Sequence, residues 1–82
     1  KKAKTITSAI IRQCPNTACR AEKYFRQILG EAPLDAVPPD TELVIHARTT
    51  DKSNAAGKLD YWYYVDVGSS THGVWIFAAL VK

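Results

Sequence analysis

The chain is 82 residues long, 46% hydrophobic and 23% charged, with 11 Lys and Arg against 8 Asp and Glu for a net charge of +3. A chain of this length makes one domain, and one this small buries only about 60% of its unfolded surface, so the fold must be simple. The longest apolar run, Val74 to Val81, is far short of a membrane span. Lys1, Lys2 and Lys4 hold the whole charge excess, and the neutral remainder argues against a nucleic-acid-binding body.

In chain order, a sequence that opens on Lys1-Lys2 and holds no methionine reads as cut from a longer product, with 1–4 a basic tail or linker and 5–82 the domain. Thr5 to Arg12 mixes β-branched with small polar residues and stops at the turn-forming Cys14-Pro15-Asn16, which predicts a first strand. From Thr17 to Leu29, the spacing of Ala21, Phe25, Ile28 and Leu29 fits one face of a short helix capped by Asn16 or Thr17 and ended by Gly30. An irregular loop pinned by Phe25 and Ile28 is the alternative. Pro33, Pro38 and Pro39 make 31–40 a connecting loop.

Thr41 to Arg48 predicts a second strand, with Leu43, Ile45 and Ala47 on one face and Val44, His46 and Arg48 on the other. Thr49 to Asp60 is polar and reads as a long exposed loop. Tyr61 to Val67 and Val74 to Phe77 are aromatic and β-branched runs flanking the turn Gly68-Ser69-Ser70-Thr71-His72-Gly73, a β-hairpin pattern. Alternation sends Tyr61, Tyr63, Val65 and Val67 to the core and leaves Trp62, Tyr64 and Asp66 on an outward face, a candidate binding surface. Ala78-Ala79-Leu80 offers one tight turn before Val81 and Lys82. Short strands with long polar connections and no internal repeat predict an all-β class, a small and partly open barrel of about five strands with a possible short helix in the first long loop.

Several short pieces, in order, resemble the bacterial SH3-like domains. Arg12-Gln13-Cys14-Pro15-Asn16-Thr17 is similar to that family's Arg-x-x-Pro-x-Thr element, and Pro38-Pro39-Asp40-Thr41 to its Pro-x-Gly-Thr turn. Trp62-Tyr63-Tyr64-Val65 resembles its Trp-Tyr-x-Val strand, and Trp75-Ile76 with Leu80-Val81 its closing segment. The resemblance spans Thr5 to Lys82. Cys14, Asp40 and Val74 stand where the family usually has glycine, and the Ala18 to Leu34 segment is longer than usual. The eukaryotic Ala-Leu-Tyr-Asp-Tyr motif is absent, so PxxP recognition is not implied.

What the resemblance implies is an SH3-like barrel that binds without catalysing, in an exported or cell-envelope protein, with cell-wall peptide, peptidoglycan or a protein partner as ligand. Ligand contact would fall on Trp62, Phe77 and Leu80, with Tyr24 and Tyr64. Trp62 and Trp75 also fit a purely structural role. An alternative is an assembly domain that packs its Trp62 face on another domain or a second copy. A nucleic-acid-binding barrel fits the neutral body least.

Cys14 and Cys19, the two cysteines, either form a local disulfide in an oxidising compartment or stand as free thiols in a reducing one. A disulfide here would stabilise by roughly 2 kcal/mol on the chain-entropy estimate. With His46 and His72 they make four potential zinc ligands, but the two histidines are isolated and lack zinc-site spacing, so neither metal nor other cofactor is expected. Cysteine catalysis would need a buried constellation and a pocket that so small a barrel has no room for. The resemblance implies an extracytoplasmic, non-enzymatic binding module.

Overall fold

In the computed structural model, which describes residues 1–21, 36–68 and 73–82, the chain is all-β and forms two antiparallel sheets. Among the described residues six strands arise in order: β1 (Lys2–Lys4), β2 (Glu42–Arg48), β3 (Ser53–Ala55), β4 (Lys58–Asp60), β5 (Trp62–Val67) and β6 (Val74–Phe77). A 3-10 turn, Ala78–Leu80, follows. The larger sheet runs β1-β2-β5-β6, and β3-β4 is a separate hairpin. Among the described residues no helix is long and apolar enough to cross a membrane.

Alternation along β5 and β6 buries one face of the larger sheet. Val65 and Ile76 are fully enclosed, and Leu43, Val67 and Val74 lie beside them. Among the described residues no second sheet covers this face. Ala9, Ile11 and Val37 fill it instead, from segments paired only by single bridges, Ala9 with Val37 and Arg12 with Trp75. Ile45, Tyr63, Leu80 and Val81 pack at its margin.

Buried hydroxyls lock these irregular segments to the sheet. The Thr5 hydroxyl donates to the Pro38 carbonyl at 2.8 Å and accepts from the Thr41 N–H at 2.9 Å, while the Thr41 hydroxyl donates to the same carbonyl at 2.6 Å. Asp40, beside them, has a φ of 65°, and its N–H donates to the Thr5 carbonyl at 2.8 Å. Asp tolerates that left-handed conformation better than most residues do, because its short side chain can bond locally.

The second strand and the aromatic hairpin strands form where the sequence predicts them, and the tight turn at Ala78 does too. Several expectations need correction. Thr5 to Arg12 is not a continuous strand but a run of isolated bridges, and the segment expected as a basic tail supplies the edge strand β1, with Ala3 opposite Leu43. Thr49 to Asp60 is not all loop, since Ala56 and Gly57, at φ 50° and 74°, turn β3 into β4. Two successive positive φ values are the mark of the two-residue turn whose twist suits a hairpin.

The faces of β2 also change partway. A register shift between Ile45 and Ala47 makes His46 an extra residue, so Ala47 pairs with Tyr64 and Arg48 with Tyr63. One inserted residue exchanges the faces beyond it, which moves Ala47 off the core side. Of the helix expected over Thr17 to Leu29, the described part, 17–21, is turn and bridge, and 22–29 lie outside the described residues. The expected turn positions Ser69, Ser70, Thr71 and His72 also lie outside them.

Candidate functional site: a cross-strand aromatic face

Opposite the core, the β5-β6 pair carries two aromatic couples in succession. Trp62 lies across from Phe77 and Tyr64 across from Trp75. Their ring centroids are 5.3 and 5.1 Å apart, and the planes are tilted by 59° and 52°. The hydrogen-bond pattern explains this closeness. Trp75 exchanges both backbone bonds with Arg12, at 2.8 and 2.9 Å, on the side away from β5. Trp62 turns its own to Thr49, whose N–H donates to the Trp62 carbonyl at 2.9 Å and whose hydroxyl accepts from the Trp62 N–H at 3.1 Å. Both couples therefore occupy non-hydrogen-bonded positions of the ladder, where side chains approach most closely.

Burial separates the two couples. Trp62 and Phe77 are each 2% exposed, whereas Tyr64 is 36% exposed and Trp75 is half-buried. The outward Trp62 expected from alternation is thus overturned: alternation puts it on the face opposite the core, but that part of the face is covered. Within the described residues the Trp62 indole Nε1–H meets no acceptor. Phe77, a second expected contact, is enclosed with it, and Leu80 packs on the main core. Tyr24 lies outside the described residues. Of the four described side chains expected to touch a ligand, Tyr64 is the one the structure puts on the aromatic surface.

Around Tyr64 and Trp75 stand further groups, of which the sequence places Asp66 on this face but not His46, Gly73 or Arg12. The bulge at His46 aims its Nε2 at an Asp66 carboxylate oxygen 2.9 Å away, beside Tyr64 on the same face. Gly73 seats the Tyr64 ring: a Cβ at that position would fall on the ring carbon and hydroxyl of Tyr64. Beyond Trp75, the Arg12 guanidinium donates to the Cys19 carbonyl at 2.9 Å. Cys14 and Cys19 are joined in a disulfide with a Cα separation of 5.8 Å, and the enclosed loop is tied by the Ala18 N–H donating to the Asn16 side chain at 2.8 Å. A small covalent loop thus borders the aromatic couple. At the other end of β5, Arg48 stands 4.1 Å over the Tyr61 ring and Lys52 5.4 Å from it, which leaves Tyr61 half-buried rather than in the core.

This arrangement offers two ring faces, an imidazole-carboxylate pair and a guanidinium side by side, a set suited to holding a flat or extended ligand by stacking and by polar contacts at the rim. Among the described residues no three His, Cys, Asp or Glu side chains gather where they would hold a metal ion. No protein-family model matches the chain, and no curated protein or solved structure matches it either.

Proposed function

We propose that the chain is a non-catalytic binding module of the bacterial SH3-like type, from an exported or cell-envelope protein, that engages a cell-wall peptide through the Tyr64-Trp75 couple. The observation that carries this reading is that couple itself, left on the surface beside the His46-Asp66 pair while its neighbour is enclosed. Exposed aromatic rings are favoured binding residues because they supply large contact area for few rotatable bonds. Three further features support the SH3-like barrel: the 3-10 turn before Val81, the left-handed backbone at Asp40 where the family motif has glycine, and the antiparallel order of the sheet. The Cys14-Cys19 disulfide supports an oxidising, extracytoplasmic location.

The test is co-sedimentation with purified cell-wall sacculi, comparing the wild type with Tyr64→Ala. Because Tyr64 is exposed, the variant keeps its fold, and its far-ultraviolet circular dichroism should match that of the wild type. Wild-type protein is expected in the pellet and the variant in the supernatant. If the wild type stays in solution, the cell wall is not the ligand. Equal pelleting of the two proteins would remove Tyr64 from the site.

A further inference from the structure

The exposed aromatic couple has charges of opposite sign at its two ends. On the face away from the core, β5 places Asp66 two residues beyond Tyr64, about 7 Å along the strand. Across from these, β2 sets Val44 opposite Asp66 and Ala47 opposite Tyr64. Ala47 is exposed and carries only a methyl group, so β2 leaves room beside the Tyr64 ring. On the other flank comes Trp75, and Arg12 lies opposite Trp75 in the segment beyond β6. Asp66 and Arg12 thus end a row whose middle is the two rings.

Asp66 has a partner that is easily displaced. Its side chain is 19% exposed, and one carboxylate oxygen faces the His46 Nε2 at 2.9 Å. His46 is 47% exposed, and a pair this open to water gains little from its own attraction. The other oxygen of the carboxylate is left to accept from elsewhere. Lys2, on this face of β1 opposite Val44, is about 10 Å away by strand spacing. Among the described residues, His46 is therefore the basic side chain that Asp66 holds.

Resting on the reading of Tyr64 and Trp75 as the ligand face, we infer that Asp66 selects a peptide that carries a primary amine on a flexible alkyl side chain. The stem of such a side chain lies along the Tyr64 ring, and the two-residue distance to Asp66 is one that four methylenes cover. Its ammonium meets the carboxylate in a charge-assisted hydrogen bond and draws further on the electron-rich ring face. Arg12 fixes the direction. Its guanidinium repels an ammonium from the Trp75 end, so the amine is steered to the Tyr64 end. His46 holds the carboxylate in place and gives it up when the amine arrives.

The experiment is a titration of the isotopically labelled protein, followed by amide chemical shifts, with an acetylated and amidated alanine pentapeptide that has a lysine at its centre. The same peptide with that amine acetylated keeps the stem and loses the charge. Shifts are expected at Tyr64, Asp66 and Trp75, and the acetylated peptide should bind at least about fivefold more weakly, the worth of a hydrogen bond to a charged group discounted for solvent. Asp66→Asn should bind both peptides alike, at the wild-type affinity for the acetylated one. His46→Ala should bind the lysine peptide more tightly, because the carboxylate loses its competing partner. Equal wild-type affinity for the two peptides, a lysine preference that survives in Asp66→Asn, or weaker lysine binding by His46→Ala would each overturn the amine site. Pelleting with sacculi that is lost in Tyr64→Ala but unchanged in Asp66→Asn would also overturn it, while leaving the aromatic face in place.

Discussion

Trp62-Phe77 and Tyr64-Trp75 are neighbours on one face of one hairpin, with nearly equal ring separations and tilts, and with the same place in the hydrogen-bond ladder. One couple is enclosed and the other meets solvent. Their surroundings account for this. The 3-10 turn begins immediately after Phe77, and β4 ends two residues before Trp62 and packs beside that turn, so the connections converge at the first couple. The second couple lies further along the strands, flanked by single residues: the bulged His46, Gly73 and Arg12. Alternation assigns a side chain to a face, but what the chain does beyond the strand ends decides whether that face is wet.

The sharpest way to break the comparison is to truncate each couple in turn. Trp62→Ala should destabilise the domain by about 3–5 kcal/mol, the range for removing a large buried aromatic side chain. Tyr64→Ala should cost only about 1 kcal/mol, the stacking contribution of a half-exposed ring. Urea unfolding of both variants measures the difference, and equal losses would mean that the two couples carry equal structural weight.

A subtler break leaves both rings in the sequence and removes the seat of one. At Gly73 an added methyl group meets the outer end of the Tyr64 ring, which can swing towards solvent, so Gly73→Ala should cost about 1 kcal/mol, near the low end for overpacking. Its optical signature should exceed its effect on stability. The near-ultraviolet circular dichroism of the Tyr64-Trp75 couple should fall, while the emission of enclosed Trp62 stays in place. An unchanged aromatic spectrum would show that the ring has room to stay.

How far the sequence could be read follows from the range of each signal. The hairpin strands are legible because aromatic and β-branched residues crowd both sides of a glycine-containing turn, and the inward set of Val65, Val67 and Ile76 follows from alternation. Leu43 is legible for the same reason. The burial of Trp62 is not legible, because it depends on how β4 and the 3-10 turn come together beside it, which periodicity does not report. Nor does any local pattern announce the bulge at His46: it inserts one residue into a regular β-prone run and brings His46 to Asp66. Lys2 to Lys4 looked like a solvated tail because three lysines in four residues suggest one, yet lysine is also a residue that commonly guards a sheet edge. The β3-β4 turn gives no hairpin signal in the sequence, because Ala56 stands where asparagine or aspartate usually precedes the glycine.

That alanine supplies the smallest effect and a test of what covers the first couple. Ala56 holds a φ of 50°, where its Cβ crowds the backbone, and it does so beside Gly57 in a turn that favours Asn-Gly. Ala56→Asn should therefore stabilise by about 0.5–1 kcal/mol, because Asn tolerates the left-handed conformation without the added chain freedom of glycine. If β3 and β4 help to enclose Trp62, firming their turn should slow hydrogen exchange at the Trp62 indole more than at Trp75. Equal slowing of the two indoles would assign the gain to the whole domain, and the cover of Trp62 would then rest on the 3-10 turn instead of the hairpin.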